Sequence, residues 1–159
     1  MSILVRPAVQ ADLSAVAPLA AKLVRLHRDF DPQRFMLLEN VEAGYAQFFA
    51  SQLRRKQAVI LVAEVSERIS GYAYGALEER DWNALLDRAG ALHDIYVDEG
   101  ARRKGVAREL LTAMLARLEA LGAPRVVLHT AWVNEGAHRF FEAAGFRRTM
   151  IEMTREAGG

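Results

Sequence analysis

A strand, a basic turn and a helix follow one another without interruption between Ala91 and Leu121, and the rest of the chain is organised around them. Leu92 to Val97 reads as a short strand. Leu110, Leu111, Met114, Leu115, Leu118 and Leu121 then recur at helical spacing. Between the two lies Arg102-Arg103-Lys104-Gly105-Val106-Ala107-Arg108, where three cations precede the small residues Gly105 and Ala107. Small residues let the backbone bend closely and leave N–H groups pointing outward at the first helical turn, a geometry that binds anions. Two common phosphate loops are excluded. A P-loop needs Gly-Lys-Ser/Thr, whereas here Lys104 precedes Gly105 with no hydroxyl after it; a dinucleotide loop needs three spaced glycines, and only one is present.

Beyond the helix come a turn at Gly122-Ala123-Pro124, a strand candidate from Val126 to Thr130, and then Asn134 ahead of a second helix. That helix carries Ala137, Phe140 and Phe141 and is closed by Gly145-Phe146. Arg102-x-x-Gly105-x-Ala107 directly after a strand resembles the pyrophosphate loop of the GNAT superfamily, the acyl-CoA-dependent N-acetyltransferases. Asn134-x-x-Ala137-x-x-Phe140-Phe141-x-x-x-Gly145-Phe146 is similar to the second block of that superfamily. The two occur in the expected order, from Leu92 to Phe146.

At 159 residues the chain is read as one N-acetyltransferase domain, 1–159, long enough to bury roughly two-thirds of its unfolded surface without a metal or disulfide staple. The formal charge of +1, from 21 basic and 20 acidic side chains, is low for a general nucleic-acid binder. With no cysteine, disulfides and thiolate chemistry are excluded, an acyl-cysteine mechanism among them. No His, Asp and Glu grouping has metal-ligand spacing, so no metal is expected. No leader-like N-terminus and no apolar run of membrane-spanning length are present, and the expectation is a soluble cytoplasmic protein without a membrane partner.

The remaining elements are read by periodicity. Ile3 to Val5 is a strand candidate stopped by Pro7. Asp12 stands at an N-cap position before Leu13, Val16, Ala17, Ala20, Leu23, Val24 and His27; Pro18 predicts a kink or a later helix start. A second helix is expected from Val41 to Arg55, then a hairpin of Val59 to Val65 and Ile69 to Leu77 about a Ser66-Glu67-Arg68 turn. Arg147 to Thr154 alternates and predicts a last strand. The resulting class is α/β (α+β): a mixed, mostly antiparallel sheet of six to seven strands, about four helices, and, by the resemblance, splayed central strands that bind CoA.

The resemblance implies acetyl-CoA as co-substrate. Its pyrophosphate would lie against the N–H groups from Arg103 through Val106 to Arg108, with Arg102, Arg103, Lys104 and Arg108 adding charge. Its pantetheine amides would pair with the edge of Ile95-Tyr96-Val97, where an N–H could also polarise the thioester carbonyl. Asn134 is a good N-cap by itself and, by the resemblance, touches the CoA arm, for which Ala137 leaves room. Many members carry a tyrosine at the position of Phe141 to protonate the departing thiolate. Phe141 has no such proton, so Tyr96, Tyr45 or a water would have to serve, or activity is lost; Phe140 and Phe141 read as core.

An amine acceptor arrives protonated and must lose a proton before attack. His93 and Asp94 stand at the start of the cofactor strand, and histidine is the side chain that ordinarily titrates near neutrality. Consecutive strand residues face opposite ways, so the two can act together only if a bulge re-aims one. Phe30, Phe35, Tyr45 and Trp82 lie in the segments that wall the acceptor cleft of this superfamily. The expected activity is transfer of acetyl to a primary amine by direct attack in a ternary complex, with a small amine, polyamine or amino-acid-like acceptor. The alternatives are a catalytically silent CoA-binding regulatory module and a protein α-amine or lysine acetyltransferase. The fold admits a homodimer, although no residue identifies an interface.

Overall fold

Five strands form one sheet in chain order: β1 (Ile3–Pro7), β2 (Ala58–Val65), β3 (Arg68–Glu78), β4 (Ala89–Val97) and β5 (Val126–Leu128). Neighbours from β1 to β4 are antiparallel, and β4 and β5 are parallel. The computed structural model describes residues 2–159. They fall into two compact units: residues up to Leu23 with Leu38–His129, and Val24–Leu37 with Thr130–Gly159. No helix among the described residues is long and apolar enough to cross a membrane.

In the first unit the hairpin between β2 and β3 turns on Ser66 and Glu67, both at positive φ, as the tightest two-residue turns require. The parallel pair instead needs a crossover, supplied by α3 (Val106–Ala120). Its apolar ridge lies close on the sheet. A Cβ on Gly71, Gly75 or Gly90 would meet Leu110, Met114 or Leu118 respectively at 3.0–3.2 Å, so these glycines form the track that the ridge occupies. On the other face, α1 (Leu13–Phe30) as far as Leu23 and α2 (Val41–Gln52) cover the sheet. Leu13, Val16, Leu19, Ala20 and Phe49 pack there with Ile60, Val62, Tyr72, Tyr74 and Tyr96.

Several expectations are corrected. A 3-10 turn, Gln10–Asp12, precedes α1, and Asp12 is its third residue rather than an N-cap: the carboxylate reaches back to the Val9 N–H at 2.8 Å and takes both terminal nitrogens of Arg6. Pro18 neither delays nor ends α1, because it stands in the second turn on the exposed side, where only one backbone bond is lost. The helix α2 stops at Gln52, three residues short of Arg55.

The second unit contains the end of α1, the helix α4 (Glu135–Ala143) and the tail. Phe141 is 8% exposed and packs edge-on against Phe140 and Phe146. Arg34 forms a two-pronged pair with Glu152. The strand expected over 147–154 does not form, so the sheet has five strands rather than six or seven. Alternation alone makes no strand. A strand also needs a hydrogen-bonded neighbour and a face to bury, yet Met150, Ile151 and Met153 are 81%, 65% and 90% exposed.

Candidate active site

The ladder between β3 and β4 holds one residue too many. Tyr74 pairs with Asp94 and Gly75 with Leu92, so His93 is unpaired between them. A β-bulge of this kind reverses the alternation beyond it. Gly75, opposite Leu92, lies against Met114 of α3. Asp94 and Tyr96 consequently join Tyr72 and Tyr74 on the face toward α1 and α2, while Val97 lies on the α3 side beside Gly71. The bulge that would let His93 and Asp94 act together is present.

Asp94 is half-buried among tyrosines. The Tyr72 hydroxyl donates to its Oδ2 at 2.8 Å. Burial and the Asp94 charge together push the Tyr45 hydroxyl up to about 12 and the Tyr72 hydroxyl well above its ordinary value. Tyr45, half-buried against Phe49, lies near enough to feel the Asp94 charge. Phenols held so high stay protonated near neutral pH and do not act as bases, and the Tyr72 hydroxyl orients the carboxylate.

His93 lies over Tyr74, with ring centroids 5.3 Å apart and planes at 28°, and its Nε2 is 2.6 Å from Glu78 Oε1. The Tyr74 hydroxyl donates to Gln52 Oε1, which also accepts from Arg55 Nη1. Tyr72, Tyr74 and Gln52 were not singled out from the sequence. The tyrosines at an i, i+2 interval in Ile69 to Leu77 were the available signal, but only the register shows which β4 residues they oppose.

Pairing between β4 and β5 ends at Leu92 opposite Leu128. From His93 to Val97 that side of β4 has no strand partner among the described residues, and its N–H and C=O groups offer a short ladder to an extended amide-bearing ligand. Ile95, Tyr96 and Val97 stand on this segment. The following 3-10 turn, Glu99–Ala101, starts at Asp98, which is tied to Lys22 at 2.8 Å.

At the end of that turn lies the basic loop. Arg102 stands at its start, where Nε donates to the Val97 carbonyl at 2.9 Å and the guanidinium covers the Tyr96 ring. Arg103 at φ +62 and Gly105 at φ +82 turn the chain sharply into α3. The first bond of the helix runs from the Glu109 N–H to the Gly105 carbonyl, so the N–H groups of Val106, Ala107 and Arg108 precede the ladder. A Cβ at Gly105 would meet nothing within 4 Å. Arg103, Lys104 and Arg108 are exposed, and Val106 is buried beneath them. Open space, unsatisfied donors, the positive end of a helix and three exposed cations fit a phosphate.

In the second unit, Asn134 caps α4, with Oδ1 accepting from the Ala137 N–H at 3.1 Å. Ala137 is half-buried, and Phe141 is core. Phe30 and Phe35 bracket His27 edge-on, at 5.7 and 5.0 Å between centroids. In the first unit, Trp82 is 75% exposed, with the Arg80 guanidinium over its ring. No group of three His, Cys, Asp or Glu that could hold a metal occurs among the described residues.

The site is thus framed by the second half of β4, left open where β5 ends, and by the helix terminus that follows it. Residues 21–146 match the acetyltransferase (GNAT) family, and the chain belongs to that family of acyl-CoA-dependent N-acetyltransferases. It is similar to N-acetyltransferase 8 of Homo sapiens, 29% identical over 99 residues, covering 62% of this chain and 43% of that protein. D-amino-acid N-acetyltransferase HPA3 of Saccharomyces cerevisiae is 25% identical over 107 residues, covering 67% of this chain and 65% of that protein. The match thus spans less than two-thirds of the length of either relative. A solved structure of the BH1408 protein from Bacillus halodurans, a tetramutant, shares the fold at a TM-score of 0.83 and 22% identity, covering 96% of this chain and 99% of that one.

Proposed function

We propose that this chain is one N-acetyltransferase domain that transfers acetyl from acetyl-CoA to a primary amine by direct attack in a ternary complex. The observation that carries the reading is the continuity along β4: bulge, open edge and anion cradle follow one another from His93 to Arg108. Acetyl-CoA supplies the electrophilic carbonyl and a thiolate leaving group. The chain's own groups do the rest. The N–H groups from Arg103 to Arg108 hold the pyrophosphate, with Arg103, Lys104 and Arg108 as charge partners; the edge Ile95-Tyr96-Val97 pairs with the pantetheine amides and directs an N–H at the carbonyl. Asn134 and Ala137 are assigned to the arm on the family pattern.

His93 and Asp94 share the handling of the acceptor ammonium: Asp94 attracts it, and His93 takes its proton. Tyr45 and Trp82, with Phe30 and Phe35, are assigned to acceptor recognition. The acceptor class is a small amine, polyamine or amino-acid-like molecule; the D-amino-acid specificity named for the yeast relative and the acidic Asp94 environment both favour it. Action in the cytoplasm is part of the proposal.

A second reading is favoured by Phe141, which is packed among phenylalanines and has no proton to give a thiolate. It makes the chain a silent CoA-binding module. Calorimetric titration with acetyl-CoA and CoA, coupled to thiol release across a panel of amines, separates the two. Binding with turnover is expected. Binding without turnover on any amine would leave the silent module, and absence of binding would remove both.

A further inference from the structure

We propose that Glu78 is a positioning residue for acceptor deprotonation, holding the His93 imidazole so that Nδ1 keeps a free lone pair. The inference deepens the transferase reading and rests on it. Glu78 is the last residue of β3 and His93 is the bulged residue of β4, fifteen positions apart in sequence yet 2.6 Å apart between Oε1 and Nε2. An ionised carboxylate only accepts hydrogen bonds, so the proton of neutral His93 belongs on Nε2 and the lone pair on Nδ1.

The plane of the ring is fixed independently. It stacks on Tyr74, whose hydroxyl is anchored on Gln52, which Arg55 holds in turn. Tautomer and orientation are thus set by two different contacts. The His93 side chain is still 41% exposed, so a dissolved amine can reach it.

The proton balance is simple. The acceptor ammonium gives one proton to Nδ1, and the imidazolium is stabilised by the adjoining Glu78 carboxylate. The neutral amine forms the C–N bond as the C–S bond breaks, its electron pair leaving on sulfur. The second nitrogen proton passes to solvent or to the thiolate, and His93 returns its proton to solvent.

The test uses the full chain with 15N-labelled histidine. Long-range 1H–15N spectra of the wild type are expected to show His93 in the Nε2–H form, and Glu78→Ala a mixture of tautomers. In steady-state assays, Glu78→Ala is expected to lower kcat about tenfold while the KM for acetyl-CoA stays unchanged. Both side chains are nearly half exposed, so its melting temperature should stay within about 3 °C of the wild type. A wild-type His93 in the Nδ1–H form, or a Glu78→Ala variant with unaltered tautomer and kcat, would overturn the role of Glu78 alone. A wild type that transfers acetyl to no amine would remove the transferase reading and this role with it.

Discussion

Tyr72 and Asp94, on neighbouring strands, meet because of the one-residue bulge at His93: the Tyr72 hydroxyl lies 2.8 Å from Asp94 Oδ2. Without the extra residue, Asp94 would share the face of Leu92, toward α3. The hydrogen bond therefore reports both a register and a site.

Tyr72→Phe removes that donor while keeping the ring. A hydrogen bond to a charged group contributes about 1.5–3 kcal/mol. Urea denaturation is expected to show a loss in that range with an unchanged m-value. An unaltered midpoint would show that Asp94 does not depend on Tyr72.

Gly105 occupies φ +82, where a side chain is strained by about 1 kcal/mol, although a single Cβ would find open space. Gly105→Ala should fold with a stability loss of that order. Gly105→Trp fills the cradle, and its CoA affinity is expected to fall at least about tenfold, or 1.4 kcal/mol. Calorimetry on both variants checks this; undiminished affinity in Gly105→Trp would remove the loop from the cofactor site.

The buried phenols set an alkaline limit. Tyrosine in an unfolded chain ionises near pH 10. Tyr45 is pushed up to about 12, by burial first and the Asp94 charge second; Tyr72 and Tyr74 are raised by the same leading cause. Between the two values the unfolded chain binds fewer protons than the folded one, so stability falls as pH rises. The urea midpoint should hold to about pH 10 and decline through about pH 12. Tyr72→Phe should shallow that decline.

Arg6 and the Val9 N–H hold the Asp12 carboxyl below its ordinary value, the arginine having the larger effect. Here the sign is opposite. The contribution is fully present above the unfolded pKa, near 3.9, and is lost as pH falls through the lower folded value. Asp12→Asn should therefore destabilise at pH 7 by about 1–3 kcal/mol and differ less from the wild type below about pH 3. Denaturation curves at the two pH values provide the comparison.

The sequence by itself determined the strand, basic loop and helix from Leu92 to Leu121, the second helix behind Asn134, and through them the family. These are local properties: helical periodicity lies within one segment, and the turn at Gly105 depends on its own backbone angles. Tertiary structure decided the rest. The bulge at His93 is set by the pairing of whole strands, and with it the face on which Asp94 meets Tyr45 and Tyr72. Only the fold brings the Val97 carbonyl and the Tyr96 ring beside Arg102. Glu78 pairs with Ala89 in the ladder, and only the folded strands bring its carboxylate to the His93 ring. Arg147 to Thr154 has the alternation of a strand and no ladder to join. Register and pairing depend on residues distant in the chain, so no window of sequence contains them.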